Sequence, residues 1–299
     1  MVELRQLEYF LAVVEEGSFT RAAARLYMVQ SSLSASLLGL EKELGTDLFI
    51  RGRKGAVLTD ARRALLSPAR AALDDAENAR DAVAEVTGLL RGSVRVATVA
   101  VPRDVDVVET IRSFQERHPG VEISVLHDGA RDLLGLVAEG TADFAINPLT
   151  HRTTPALRFD PLLSTPLVLI CPPGHRLAGA RGVELGDVVD EPLIDLPRGW
   201  WVRELFDRMF AEHSLTRRVR LEMDEWFGVL TMVRRGLGIA CGPLACIDES
   251  LFGEVAVATL DGAPTWELGI ATRDEALRGA AGRAFLDAYR QQCRERLGG

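Results

Sequence analysis

The sequence predicts an α/β protein with several domains: an N-terminal winged helix-turn-helix, a long linker helix and a C-terminal α/β domain. Three observations support this prediction. Leucines recur at helical spacing in residues 1–58, an Ala-rich heptad pattern fills residues 60–90, and strand patterns alternate with helix patterns from residue 93 onward. The length of 299 residues fits about two globular domains with well-buried cores.

The first segment contains three predicted helices. The first ends at Gly17, and Ser18 is a favourable N-cap for a second helix over 19–26. A third helix over 30–44 is predicted from one apolar stripe, which contains Leu33, Leu37, Leu40 and Leu44. Because a turn of only three residues joins the second and third helices, the pair predicts a helix-turn-helix. The alternative is a pair of amphipathic helices that only bury leucines.

A short hairpin is predicted after the third helix. Extended runs at 47–51 and 56–59 flank a turn whose sequence is Gly-Arg-Lys-Gly. Three basic residues, Arg51, Arg53 and Lys54, lie at or beside this turn. We expect this wing to contact phosphates.

Residues 60–90 read as one long helix with an unbroken heptad seam. Apolar side chains step alternately by four and three residues, which predicts pairing with a second helix. The seam consists of Leu65, Ala69, Ala72, Ala76, Ala79, Val83, Val86 and Leu90. The alternative is that this helix packs on its own domain.

The net charge of −8 does not exclude DNA binding, because the acidic excess lies in residues 93–299 while residues 1–92 are close to neutral. No apolar run approaches the 18 or so residues of a membrane span, and the start of the chain lacks a signal-peptide core. The four cysteines have no CxxC spacing and are expected to be reduced. We therefore expect a cytoplasmic protein that does not bind membranes.

The C-terminal segment predicts an α/β fold with parallel sheets. Its predicted strands are 94–99, 121–126, 143–146, 167–171, 193–196, 218–223, 237–241 and 268–272. Its predicted helices are 105–117, 131–139, 201–213, 225–235 and 277–296.

The N-terminal segment contains a dense set of short motifs: LRQLEYF at 4–10, GSFTRAA at 17–23, LS at 33–34, LE at 40–41, LG at 44–45, LFIR at 48–51 and LT at 58–59, with Leu26 and Gln30. In these motifs it resembles the LysR-type transcriptional regulators. A weaker similarity continues through FQERHP at 114–119, GTAD at 140–143 and GLGI at 236–239.

This resemblance implies a winged helix-turn-helix DNA-binding domain over 1–59, a dimerising linker helix over 60–91 and an effector-binding domain over 92–299. The last would be built like a periplasmic binding protein, with lobe 1 at about 93–163 and 269–299 and lobe 2 at about 164–268. It also implies a homodimer or homotetramer that binds a double-stranded DNA operator and a small-molecule effector. The effector would act only through different affinities for two states of the oligomer.

On the third helix, the face opposite the leucine stripe is the predicted reading surface, since Gln and Ser side chains are suited to bases and phosphates. The predicted DNA-binding residues, together with the wing, are Arg21, Gln30, Ser31, Ser32, Ser34, Ala35, Leu38, Arg51, Arg53 and Lys54. Positions 35 and 38 are often basic in the family, whereas this chain has alanine and leucine there. We therefore expect each DNA-binding domain to have a modest affinity for DNA, so that several such domains must bind together.

In the C-terminal domain the cleft should lie beyond the carboxyl ends of the strands, where helix N-termini point. Its predicted lining contains Val101, Pro102, Arg103, Gly129, Arg131, Asn147, Arg198, Trp200, Trp201, Glu225 and Trp226. The arginines and helix N-termini favour a small carboxylate as effector, and the paired tryptophans offer a stacking surface. Each residue alone has a packing or surface role as its alternative.

Signals for an enzyme are poor: GxSxG, HExxH and Walker motifs are absent from the sequence, and the Gly236-x-Gly238 pair lacks a third glycine. We expect no cofactor, no metal and no catalytic residues. Two alternatives to a regulator are a non-specific nucleoid protein and a small-molecule-binding module or enzyme on the same α/β scaffold.

Overall fold

The computed structural model describes residues 1–50, 57–58, 60–86, 90–99, 101–128, 132–149, 156–247, 255–273 and 279–298. Its helices are α1 (Leu4–Glu16), α2 (Phe19–Arg25), α3 (Gln30–Leu44), α4 (Asp60–Val86), α5 (Val108–Arg117), α6 (Leu133–Ala138), α7 (Trp201–Glu212), α8 (Trp226–Arg234) and α9 (Ala280–Leu297). Its strands are β1 (Phe49–Ile50), β2 (Val57–Leu58), β3 (Gly92–Thr98), β4 (Val121–His127), β5 (Phe144–Pro148), β6 (Arg158–Cys171), β7 (Leu193–Asp195), β8 (Val219–Glu222), β9 (Ala240–Pro243), β10 (Ala256–Thr259) and β11 (Thr265–Thr272).

The three helices of residues 1–50 pack around one apolar core. Leu33, Leu37 and Leu40 of α3 are buried against α1 and α2, whereas Leu44, predicted on the same stripe, is exposed at the helix end. Gly17 ends α1 with a left-handed φ of 59°, a conformation that favours glycine. The fold class predicted for this segment is confirmed.

The wing strands β1 and β2 pair antiparallel, Phe49 with Leu58 and Ile50 with Val57. The carboxylate of Glu41 on α3 accepts hydrogen bonds from the N–H groups of Leu48 (2.8 Å) and Phe49 (3.1 Å), which ties the start of the wing to α3. The tip of the wing, residues 51–56, lies outside the described residues.

The first half of the linker helix α4 belongs to the N-terminal core. Leu66 and Ala69 are buried in that core, and Leu65 and Ala72 pack against it. For residues 65–72 the structure therefore shows a helix packed on its own domain, the alternative that the sequence left open.

Arg70 of α4 connects the N-terminal core to the C-terminal domain. Its side chain is 8% exposed; Nη1 donates to the backbone oxygen of Glu139 at 3.0 Å, and Nη2 lies 3.9 Å from the carboxylate of Glu15. Nearby, the hydroxyl of Ser67 donates to the backbone oxygen of Ala138 at 3.5 Å. One turn of α4 thus holds both α1 and the end of α6.

The C-terminal domain has two lobes, and β6 runs through both. Its first part pairs with β11 from Arg158 to Pro166, in a lobe 1 sheet of order β4-β3-β5-β11-β6. From Leu167 to Cys171 it pairs with β9 on one side and β10 on the other. β7 and β8 form a parallel pair that adds to lobe 2 through a bridge between Leu193 and Ile239.

The prediction of parallel sheets is only partly right. β3 pairs parallel with β4 and β5, but β11 and β6 pair antiparallel with all their neighbours in the described chain. The reason is that β6 and β11 carry the chain out of lobe 1 and back, without the helical crossover that parallel pairing needs. The short strand β10 was not predicted.

Lobe 1 is closed by α9, whose Phe285 and Tyr289 stack with Phe144 of the sheet. The buried hydroxyl of Tyr289 donates to the backbone oxygen of Val105 at 2.6 Å.

Across the described ranges, each helix is either too short or too polar to cross a bilayer.

Candidate DNA-binding surface and effector cleft

The face of α3 opposite its buried leucines is open to solvent. Gln30, Ser31, Ser32, Ala35 and Leu38 are all exposed, and Ser34 is half-buried. The structure therefore brings every predicted residue of the third helix to one accessible surface.

This surface begins next to two exposed residues that sequence reasoning missed. Tyr27 is 98% exposed with a left-handed φ of 53°, and Val29 is 69% exposed. Thr20 of α2 donates from its hydroxyl to the Gln30 amide oxygen at 3.3 Å, which orients that amide. The signal available in the sequence was an aromatic residue in the tight turn before the third helix.

The basic residues beside α3 are held by ion pairs. Arg21 is exposed and donates to the backbone oxygen of Glu16, with the Glu16 carboxylate 3.6 Å away. Arg25 pairs with Glu15 at 2.7 Å. The predicted wing residues Arg51, Arg53 and Lys54 lie outside the described residues.

The second half of the predicted seam is available for pairing only in part. Ala76 is half-buried and Ala79 is exposed, while the side chains of Val83 and Val86 are outside the described set. Leu90 packs against the core of the C-terminal domain. Ala69 is buried as well. Among the seam residues whose side chains are described, Ala79 is therefore the one exposed position available for pairing.

A cleft lies between the two lobes, at the carboxyl ends of their strands. Lobe 1 contributes the ends of β3 and β5, and lobe 2 contributes the starts of α7 and α8 and the end of β9. The start of β11, where the chain returns from lobe 2 to lobe 1, completes the lining. The cleft is lined by Val99, Pro148, Leu196, Trp200, Trp201, Val202, Trp226, Pro243, Cys246 and Trp266.

Of the predicted effector residues, three line this cleft: Trp200, Trp201 and Trp226. Six others that the structure describes do not appear in its lining: Val101, Pro102, Arg103, Asn147, Arg198 and Glu225. Gly129 and Arg131 lie outside the described residues. The cleft is therefore more apolar than the sequence suggested.

Sequence reasoning missed Trp266 and Cys246, which come from the start of β11 and the turn after β9. Trp266 is 2% exposed, with its ring centroid 6.4 Å from that of Trp201 across the cleft. The only signal for it was a large aromatic residue near the expected point where the chain returns to lobe 1.

The position of Trp226 is fixed by two contacts. Its indole N–H donates to the backbone oxygen of Cys246 at 3.1 Å. Its ring lies on Gly242, where an added Cβ would come within 2.0 Å of the ring. Only glycine at this position leaves room for the Trp226 ring beside β9.

A buried ion network supports the lobe 2 side of the cleft. The carboxylate of Asp195 accepts from Arg217 at 2.6 Å and lies 3.8 Å from Nε of Arg203. Arg203 Nη1 also donates to the backbone oxygen of Leu196, a lining residue, at 2.9 Å. Burial raises the pKa of Asp195, and the charge of Arg217 acts in the opposite direction.

The four thiols are protected by burial, which raises the pKa of Cys171 to about 11 and that of Cys246 to about 12. Burial also raises the pKa of Cys241 and Cys293. A thiol of pKa about 11 is only about a thousandth thiolate at pH 8, and the thiolate is the reactive form.

We therefore expect slow alkylation of the native protein by iodoacetamide at pH 8, at least about tenfold slower than after unfolding in urea. Mass spectrometry of the modified cysteines measures the rates. Rapid labelling of any native cysteine would contradict this expectation, and the urea-unfolded chain is the control for reagent quality.

The comparisons agree with this architecture. Residues 4–61 match the family model described as bacterial regulatory helix-turn-helix protein, lysR family, and residues 87–294 match the LysR substrate binding domain. The RuBisCO operon transcriptional regulator of Allochromatium vinosum is 31% identical, over 98% of this chain and 99% of its own length.

Two solved structures share the fold. Full-length OxyR from Pseudomonas aeruginosa has a TM-score of 0.74 at 20% identity, covering 98% of this chain and 95% of its own. CbnR in complex with its target DNA has a TM-score of 0.60 at 23% identity, covering 97% of this chain and 100% of its own. With both domain models matched along nearly its whole length, the chain belongs to the LysR family of transcriptional regulators.

Proposed function

We propose that this protein binds an operator through the exposed face of α3 and responds to a small molecule held between its lobes. The observation that supports the DNA-binding role is the solvent-exposed row of polar and small residues on α3, opposite its buried leucines. A helix that presents such a face after a tight turn has the geometry that enters a major groove.

Within this surface, Gln30 has an amide suited to adenine, and Ser31 and Ser32 have hydroxyls suited to bases or phosphates. Ala35 and Leu38 offer apolar contact to a thymine methyl group. We assign phosphate contacts to Arg21 and to the wing residues Arg51, Arg53 and Lys54. Because Arg21 shares its charge with Glu16, most of the attraction to phosphate would come from the wing.

The cleft is the proposed effector site because it lies where two lobes meet around an apolar lining. A ligand that binds one degree of lobe closure more tightly than another shifts the population of conformations by that difference in affinity. We further propose the domain division 1–59, 60–91 and 92–299, with lobes at about 93–163 plus 269–299 and 164–268.

We propose a homodimer or homotetramer, paired through the later turns of α4. Two DNA-binding domains on one inverted repeat compensate for the lack of net positive charge on α3, whose single Lys42 lies between Glu41 and Glu43, since linked sites raise the effective concentration. The family consists of transcriptional regulators, and we assign this chain no enzymatic activity and a cytoplasmic location.

Substituting Ala35 with glutamate should weaken operator binding by about tenfold or more. The new carboxylate would face DNA phosphates, and like charges placed opposite one another at an interface cost several kcal/mol. Fluorescence anisotropy with a labelled fragment of the DNA upstream of the protein's own gene, and a scrambled fragment of equal composition, measures the effect.

The matched control is Val108→Glu, which adds the same charge at an exposed position in the first turn of α5. It should leave DNA binding within about twofold of wild type. Equal binding of Ala35→Glu and wild type would refute the assignment of α3. Equal binding of the wild type to upstream and scrambled fragments would instead favour a non-specific nucleoid protein.

A further inference from the structure

The chain has four tryptophans, and all four line the interlobe cleft. Trp200 and Trp201 stand at the start of α7, Trp226 at the start of α8, and Trp266 at the start of β11. They come from three separate parts of the sequence, and Trp266 lies on the strand that returns the chain from lobe 2 to lobe 1. Tryptophan presents a large flat apolar surface, which prefers offset or edge contacts with other rings.

The lining of the cleft carries no charged side chain among the residues that the structure describes. The guanidinium group of Arg203 bonds the backbone of the lining residue Leu196. The same Nη1 also donates to Glu222 at 2.8 Å, and Nε donates to Asp207 at 2.9 Å. A carboxylate in the cleft would meet no charged side chain in the described lining, so this lining favours an uncharged ring over the predicted carboxylate.

One polar group in this lining lacks a partner. The indole N–H of Trp266 is buried and makes no hydrogen bond within the described part of the chain, whereas that of Trp226 is satisfied by Cys246. Leaving a buried donor unsatisfied is costly, and a ligand that brings an acceptor regains that free energy.

We propose that the cleft binds a flat aromatic molecule that is uncharged and carries one hydrogen-bond acceptor for Trp266. This inference rests on the proposed function, since it names the chemical class of ligand for the same cleft. Rings of the ligand lie among Trp200, Trp201 and Trp226, and the acceptor faces the indole N–H of Trp266 at the start of β11.

The cleft must open to admit such a ligand. Its volume is about 50 Å³, whereas an apolar cavity that holds benzene has about 150 Å³. Because its walls belong to different lobes, entry of a ring separates them or moves the tryptophans. Ligand binding is thereby coupled to the spacing of the lobes.

Two nearly isosteric probes test the proposal: quinoline, which has one ring-nitrogen acceptor, and naphthalene, which has none. Succinate serves as a small carboxylate. Equilibrium dialysis against the full-length protein gives the affinities, and a thermal shift assay reports stabilisation. We expect quinoline and naphthalene to bind and to raise the melting temperature, and succinate to do neither.

The variant Trp266→Phe keeps an aromatic ring but removes the N–H. It should lower the affinity for quinoline about five- to tenfold, the ratio expected for one hydrogen bond, and change the affinity for naphthalene less than about twofold. Trp200→Phe is the control within the same lining, and it should lower both affinities by the same factor. The thermal unfolding of each variant without probe shows that it is folded.

Stabilisation by succinate without stabilisation by the aromatic probes would overturn the proposal and leave the effector role of the cleft intact. Equal weakening of both aromatic probes by Trp266→Phe would overturn the role of its N–H. Binding of none of the three probes would mean that the tryptophans only pack the lobes together. The proposed function itself fails separately, in the DNA-binding assay with Ala35→Glu.

Discussion

Replacing Asp195 with alanine should lower the free energy of unfolding of the C-terminal domain by about 3–5 kcal/mol. Asp195 is 4% exposed, and its carboxylate lies among the side chains of Arg203 and Arg217, which are 5% and 4% exposed. Its other oxygen accepts the N–H of Leu196 at 2.7 Å. Without the carboxylate, two buried guanidinium groups lose their shared buried partner.

Urea unfolding followed by tryptophan fluorescence measures this effect, because all four tryptophans lie in the C-terminal domain. Asp207→Ala is the matched control: it pairs with the same two arginines, but its side chain is 43% exposed. We expect that control to cost about 1 kcal/mol or less, because water screens exposed pairs. Equal losses from the two substitutions would mean that burial of Asp195 is not the source of its effect.

Replacing Phe10 with alanine should destabilise the N-terminal domain by about 3–5 kcal/mol and abolish operator binding. Phe10 is fully buried, and its ring centroid lies 5.8 Å from that of Phe49 in the first wing strand. The ring of Phe19 also packs against Phe49, edge-on, with 5.2 Å between the ring centroids. Loss of Phe10 therefore leaves a cavity beneath both α2 and the wing.

Two measurements separate this effect from a general loss of stability. Operator binding reports the N-terminal domain, and tryptophan-detected unfolding reports the C-terminal domain and should change little. Tyr27→Ala removes an aromatic ring of similar size from a site that is 98% exposed, and should cost about 0.5 kcal/mol or less in unfolding followed by circular dichroism, a readout that does not depend on DNA contact. An equal shift of the tryptophan-detected transition by Phe10→Ala would show that the two domains unfold as one unit.

The N-terminal domain was predictable from sequence because its signals are local. The stripe of Leu33, Leu37 and Leu40, the cap at Ser18 and the stop at Gly17 each act within one or two helical turns. The same local signals predicted that Leu44 would be buried, but it is exposed because it lies at the end of α3, beyond the apolar core.

The C-terminal domain was less predictable because its decisive contacts join distant parts of the chain. The antiparallel return on β11 and the position of Trp266 depend on the path between lobes, which periodicity does not record. The arginines predicted near the cleft are a further case. Arg103 and Arg198 have the right charge for an anion site, but neither is in the lining.

The position of Arg70 has a thermodynamic consequence. Its guanidinium group donates a hydrogen bond to the backbone oxygen of Glu139 in lobe 1 and faces the carboxylate of Glu15 in α1. The energy of these contacts therefore depends on the relative position of the N-terminal and C-terminal domains. If a ligand changes the affinity for DNA by some factor, then DNA must change the affinity for that ligand by the same factor. Because Arg70 contacts both domains, we expect a substitution there to change that reciprocal factor without altering either binding surface.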